Sequence, residues 1–321
     1  MHDREADRLV AAAQDGDARS LARLISVTER GGAANTTGDI RVVLRAAAPH
    51  TGGARVIGLT GSPGVGKSTV TDQLVRVFRA RDQRVAVLAV DPTSPFTGGA
   101  LLGDRVRMSA HATDPGVFIR SMASRGHLGG LSAAAPSALR VLDAAAFGVI
   151  FVETVGVGQA EVEIAGLADS TLVVMAPGLG DSVQTAKAGI LEIADIFVVN
   201  KSDRPGAHEV VRDLRAMLAM VNYGQRWKPP IVSASASTSD GIEEIVGKLD
   251  AHWEWLGNSG VRAERRVARA RGEVSAIAVT EIRRRVGGLP GERRLDELAA
   301  QVASGKLDPY SAADELLAVR P

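Results

Sequence analysis

The stretch GSPGVGKST, Gly61–Thr69, places three glycines, a lysine and two following hydroxyl residues at the spacing G-x-x-x-x-G-K-[ST]. The chemistry this suits is the grip of a phosphate chain. Gly61, Gly64 and Gly66 allow the backbone to wrap closely, so that its N–H groups point inward at phosphate oxygens. The whole loop, from Gly61 through Ser62, Pro63, Gly64, Val65, Gly66, Lys67 and Ser68 to Thr69, is expected to line the nucleotide. Lys67 has the reach for the β- and γ-phosphates, and the Ser68 hydroxyl suits a magnesium shell. A chance glycine-rich turn would show the same letters. The apolar run RVIGLT before the loop and the helical pattern after it argue for the phosphate reading, because a helix opening there turns its positive end to the anion.

A second cluster names the base. NKSD, Asn200–Asp203, follows the apolar run DIFVVN. A carboxylate at Asp203 accepts from both N1–H and the 2-amino group of guanine, whereas adenine offers neither donor. Asn200 and Lys201 are expected to brace that loop, with the lysine stem over the base. A further run, PPIVSASAS, ends at Ser235, Ala236 and Ser237, where a second base-contacting loop would lie. NKxD alone is a weak signal and equally fits a plain strand-to-helix turn; its place in the chain favours GTP over ATP.

Three acids are candidates for the ion. Asp91 closes RVAVLAV, Glu153 closes FGVIFVE, and Asp104 lies between Gly103 and Arg105. Asp104 fits either a second metal-facing acid or a surface ion pair with its flanking arginines. Glu153 is one methylene longer than the aspartate expected at such a strand end, and a buried glutamate without a partner would require a cation nearby. Gly156 is expected to offer its N–H to the γ-phosphate. Val157 stands where small regulatory GTPases carry a water-orienting glutamine, and Gln159 comes two residues later. Slow intrinsic hydrolysis follows, with Lys67, Asp91 and Gln159 as catalytic candidates.

These loops need a scaffold. The runs RVIGLT, RVAVLAV, FGVIFVE, TLVVMA, DIFVVN and PIVSAS are nearly all apolar and do not alternate, as strands read when helices cover both faces of a parallel sheet. The pattern predicts an α/β fold of P-loop type: a mostly parallel sheet flanked by helices, with helices at Thr69–Arg81 and Glu209–Met220. An N-terminal helical segment occupies 1–50, with Leu21, Leu24 and Ile25 on one face behind an Asp17 cap. The nucleotide domain occupies 51–258 and a C-terminal helical arm 259–321. In the arm Leu295, Leu298 and Val302 form a stripe, and Asp308 caps a last helix that begins with Pro309.

Composition limits the rest. The 321 residues carry a net charge of +1, so no global field draws nucleic acid or a membrane surface. The absence of cysteine removes disulfides and thiolate metal sites. With no secretory signal and no apolar span, the expectation is a cytoplasmic protein.

AVDPTSPFTGGALLGDRVRM, ETVGVGQ, GDSVQTAKAGILEIADIFVVNKSD and LDPYSAADELL together resemble the MeaB/ArgK-type GTPases associated with methylmalonyl-CoA mutase. The resemblance spans nearly the whole chain, and glutamate at the Glu153 position is itself a mark of that family. It implies a homodimer built on the C-terminal helices. It also implies hydrolysis of GTP to GDP that gates adenosylcobalamin loading onto the mutase and protects it, with a cobalamin adenosyltransferase as a further partner. Magnesium would be held by Ser68, Asp91, Asp104 and Glu153. Lys187, in QTAKAG, matches a mobile loop that couples partner to nucleotide and joins the catalytic candidates.

Three other readings bear on the same residues. A metal-insertion GTPase would want Cys/His clusters; the six histidines are scattered, and the nearest pair, His111 and His127, reads as loop or surface. A small-molecule P-loop kinase would have no use for a guanine reader. A module that binds GTP without hydrolysing it would be compatible with Val157. The arginines of the 262–285 region are interleaved with Glu264, Glu273 and Glu281, which reads as a solvated face and not as an RNA surface.

Overall fold

The computed structural model describes residues 1–30, 37–91, 108–111, 113–123, 134–154, 160–178, 190–224, 226–286 and 289–318. Contacts along the chain divide it into two compact units, Met1–Arg265 and Arg266–Pro321. The first holds a seven-stranded sheet in the order β3-β2-β4-β1-β5-β6-β7. Its strands are β1 Arg55–Thr60, β2 Val85–Asp91, β3 Val117–Ala123, β4 Val149–Thr154, β5 Ser170–Met175, β6 Ile196–Val199 and β7 Ile231–Ser233. Every pairing is parallel. All strand C-termini therefore line one edge, where ligands of open α/β sheets bind.

Strands β1, β4 and β5 are buried at every position, which explains their unbroken apolar runs. On one face α4 Lys67–Ala80 and, near the end of the unit, the helix Ile242–Asn258 bury Leu74, Phe78, Ile245 and Leu249 against Leu59, Phe151 and Leu172. The rings of Phe78 and Phe151 meet with centroids 5.9 Å apart. The opposite face carries α1 Asp3–Gln14, α2 Ala18–Arg30, α3 Thr37–Ala47, α5 Ala135–Ala144 and α6 Ala160–Leu167 over β1, β2 and β4. On that same face α7 Ile190–Ile193 and α8 Ala207–Ala219 cover β5 and β6. In chain order Ile242–Asn258 is then α9.

Asp17 caps α2 as its position predicts: its carboxylate accepts from the backbone N–H of Ser20 at 3.1 Å and of Arg19 at 3.2 Å. Leu21, Leu24 and Ile25 are buried in one cluster with α5 and the sheet. Strand β3 is absent from the sequence expectation. Its segment VFIRSMA breaks the apolar run at Arg120, whose Nε donates to Glu29 of α2 at 3.0 Å.

In the second unit, α10 Val261–Val286 continues past Arg266, followed by α11 Leu289–Ala303 and α12 Pro309–Ala318. Asp308 caps α12, accepting from Tyr310 N at 2.9 Å and Ser311 N at 3.1 Å. The expected stripe is only partly inward: Leu298 is buried, but Leu295 is 46% exposed. Val267, Val274, Ile277 and Ile282 of α10 are exposed as well. Among the described residues no helix is long and apolar enough to cross a membrane.

A buried polar network closes the sheet at its N-terminal edge. His252 of α9 is fully buried, with Nδ1 2.8 Å from the Ser170 hydroxyl and Nε2 3.3 Å from Asp195 Oδ1. Asp195, just before β6, also accepts two bonds from Arg265, at 2.9 and 3.1 Å, and one from Thr171 N at 2.8 Å. Trp227 and Trp255 flank the imidazole. Burial pushes His252 down to about 4, against the pull of Asp195. The neutral ring then accepts the Ser170 proton at Nδ1, while Nε2 lies near the carboxylate without a hydrogen bond to it.

The unfolded chain takes up a proton below pH 6.5 that folded His252 refuses, so stability rises with pH between about 4 and 6.5. The contribution is fully present above 6.5 and is lost, on the order of 3 kcal/mol, as pH falls to about 4. Urea unfolding of wild type and His252→Asn at pH 7 and pH 4.5 should show the wild type losing more stability than the variant. Equal losses would contradict this assignment.

Candidate functional site

At the C-terminal edge of the sheet, β1 ends at Thr60 and the chain turns through Gly61–Gly66 into α4. The backbone demands the glycines. Gly61 has φ 138° and a Cβ there would lie 2.0 Å from Val174 O; Gly66 has φ 96° and a Cβ there would lie 2.4 Å from Asn200 Nδ2. Gly64 has φ 80° but faces open space. Lys67, the first residue of α4, folds back so that Nζ donates to Gly61 O at 2.7 Å and Ser62 O at 3.2 Å. Ser68 is half-buried and Thr69 exposed on that first turn.

The NKSD loop leaves β6 directly beside this cradle. Asn200 is buried and works in three directions. Its Nδ2 donates to Val65 O at 2.8 Å, its Oδ1 accepts from Ala236 N at 3.0 Å, and its backbone N–H donates to Met175 O at 2.8 Å. Lys201, at φ 58°, donates from Nζ to Gly64 O at 2.7 Å. Asp203 is exposed and accepts from the Ser235 hydroxyl at 2.8 Å; Ser235 Oγ also lies 3.2 Å from Ser237 Oγ. The Ser235 bond, then Asp203's own backbone N–H, hold its carboxyl below the usual carboxylate range. Gly61–Thr69, Asn200, Lys201, Asp203 and Ser235–Ser237 are therefore brought together.

The acids are placed less fully. Asp91 is the last residue of β2. Asp104, Gly156, Gln159 and Lys187 lie outside the described residues. Glu153 is 3% exposed on β4, which continues one residue further to Thr154. Its Oε1 accepts a hydrogen bond from Thr71 Oγ1 of α4. Burial of Glu153 therefore does not by itself demand a cation, as the sequence argument held, because a neutral donor already serves it. The sequence reading missed Thr71; its signal was the spacing of four from Lys67, which stacks the two on one helix face. His111 is buried, not a surface residue, with Nε2 3.1 Å from Asp72 Oδ1.

The residues fit a nucleotide. Gly61 and Gly66 let the loop close down against Val174 O and Asn200, where a Cβ would clash, and so shape it at the mouth of a 14-residue helix beside a lysine. Ser68 and Glu153 supply hard oxygen donors of the kind magnesium takes. Among the described residues no three His, Asp or Glu side chains converge as a metal cage.

Comparison with known proteins agrees with this geometry. The family described as "Methylmalonyl Co-A mutase-associated GTPase MeaB" matches residues 21–289. A Pyrococcus horikoshii protein named as a GTPase is 47% identical over 314 residues, covering 97% of each chain. The GTPase ArgK of Escherichia coli is 40% identical over 208 residues, 63% of this chain and 62% of its own. A Caenorhabditis elegans protein named methylmalonic aciduria type A homolog, mitochondrial, is 31% identical over 270 residues, 81% of this chain and 67% of its own. The crystal structure of a LAO/AO transport system kinase superposes with a TM-score of 0.71 over 98% of this chain and 97% of its own, at 23% identity, and shares the fold.

The glycine geometry yields a comparison of two substitutions. Both Gly64→Ala and Gly66→Ala force a residue into positive φ, but only the second drives a methyl into Asn200. Melting of nucleotide-free protein should therefore show Gly66→Ala as less stable than Gly64→Ala by about 1–3 kcal/mol. Equal melting points would contradict the packing described.

Proposed function

The chain belongs to the MeaB family of methylmalonyl-CoA mutase-associated GTPases, and from that premise we propose that it is a guanine-nucleotide switch serving a cobalamin-dependent mutase. The observation that carries the reading is the direct stitching of two loops. Asn200 bonds to Val65 O and Lys201 to Gly64 O, so the base-reading loop and the phosphate loop form one continuous surface. The distance from Lys67 to Asp203 along that surface is to be filled by GTP. Asp203, already ionised and oriented by Ser235, pairs with the guanine N1–H and 2-amino group. Lys67 exchanges its carbonyl partners for phosphate oxygens, which carry charge and are stronger acceptors.

Magnesium, on this reading, is held by Ser68, Asp91, Asp104 and Glu153. When bound, it offsets charge that builds on the phosphate oxygens during transfer. Gly156 offers its N–H to the γ-phosphate, and Gln159 and Lys187 complete the catalytic set, with a partner or a rearrangement completing the site. With Val157 in the place where small GTPases hold a water-orienting glutamine, the isolated chain turns over slowly. The relatives' names support the client. The family is described as associated with methylmalonyl-CoA mutase, and one relative is named for methylmalonic aciduria; on this proposal GTP hydrolysis gates adenosylcobalamin loading onto that mutase and protects it. A homodimer through the C-terminal helices, a cytoplasmic site of action and an adenosyltransferase as a further partner complete the proposal.

Phosphate release from GTP, measured alone and with the apo mutase plus adenosylcobalamin, tests it. Phosphate should appear in water, and the mutase should raise its release by about tenfold or more, a modest share of what partner-supplied groups contribute in other GTPases. Transfer of the phosphate to a small-molecule acceptor would replace the proposal with a kinase. Turnover that the mutase leaves unchanged, with no complex on a non-hydrolysable GTP analogue, would remove the client.

A further inference from the structure

Thr71 lies one helical turn beyond Lys67 and is fully buried. Its Oγ1 is 3.2 Å from Lys67 O and is also hydrogen-bonded to Glu153 Oε1, a carboxylate on a strand 82 residues away. One hydroxyl has one proton to give. The helix ladder already supplies Lys67 O with a donor, and a carboxylate is the stronger acceptor. The proton therefore goes to Glu153. The β-branch of threonine leaves few rotamers on a helix, so the donor is fixed in direction.

The strand sets the other half of the contact. β4 alternates, with Val149 and Phe151 packed toward α4 and Ile150 and Val152 packed toward the opposite face. Glu153 falls in the α4 series, paired in register with Leu59 of β1 and Ala89 of β2. An aspartate at this position would stop one methylene nearer the strand and further from Thr71. The longer acid and the helix hydroxyl belong together.

We propose that Thr71 is a positioning residue for Glu153: through one hydrogen bond it fixes where this carboxylate points and so ties it to α4, the helix that the phosphate loop opens. The proposal rests on the reading above in which Glu153 faces the nucleotide's ion. Partners that orient a metal-facing carboxylate typically contribute 10- to 100-fold in metal affinity. Thr71 touches neither phosphate nor ion, so its effect should be confined to the metal-dependent part of nucleotide binding.

The test is equilibrium binding of a fluorescent GDP analogue to the full chain, in EDTA and across a magnesium titration. Four proteins are compared: wild type, Thr71→Val, Thr71→Ser and Glu153→Gln. Thr71→Val should raise the magnesium concentration for half-maximal tightening by about tenfold, leave the affinity in EDTA unchanged, and be rescued by Thr71→Ser. If Thr71→Val melts too early to read, Thr71→Ala supplies the same comparison. A wild-type magnesium response in the Thr71 variants, with Glu153→Gln impaired, would overturn the positioning role. A wild-type response in Glu153→Gln would overturn the ion-facing reading of Glu153 on which it rests. Equal weakening in EDTA and in magnesium would reduce Thr71 to a packing residue and overturn the proposal too.

Discussion

One amide holds the site together. Asn200 spans the gap between the phosphate loop and the Ser235–Ser237 loop, bonded to Val65 O on one side and Ala236 N on the other. It takes up the volume a side chain at residue 66 would need, which makes Gly66 a steric requirement as much as a conformational one. With Lys201 reaching Gly64 O, three loops from distant parts of the sequence become one surface. Buried amides are costly when unpaired, so satisfying Asn200 fixes the spacing between the place for phosphate and the place for base. In the proposed function, discrimination between nucleotides depends on that spacing.

Local rules were legible and long-range ones were not. The glycine–lysine loop and NKSD could be read because each is a short motif tied to the end of an apolar run. The caps at Asp17 and Asp308 could be read for the same reason, since a carboxylate two or three residues from its backbone partners leaves a local trace. Buried strands announce themselves by burying every residue. Strand β3 does not, because as an edge strand it can carry Arg120, whose charge is paired to Glu29 of α2 across 91 residues. Thr71–Glu153 and His111–Asp72 were missed for the same physical reason: the chain records a residue's type but not the neighbour folding brings to it. A buried Glu153 requires a cation only where no neutral donor serves it, and Thr71 is such a donor.

The two edges of the sheet do different work with similar residues. At the C-terminal edge, polar groups face loops whose bonds a nucleotide can exchange. At the N-terminal edge, Asp195 is paired with Arg265 and Ser170 with His252, and the cluster is closed off by Trp227 and Trp255. The Ser–His–Asp arrangement there resembles a hydrolytic triad in composition, but Ser170 and His252 are both fully buried, so no substrate reaches them. Accessibility, more than residue type, separates the functional cluster from the structural one.

The account stands on a guanine nucleotide spanning Lys67 to Asp203. Calorimetric titration of the wild-type chain with GTP and with ATP, both in magnesium, addresses that most directly. GTP should bind roughly a hundredfold or more tightly, since adenine leaves the Asp203 carboxylate without its two donors. Equal affinities for the two nucleotides would show that Asp203 reads no base, and would contradict the account at its centre.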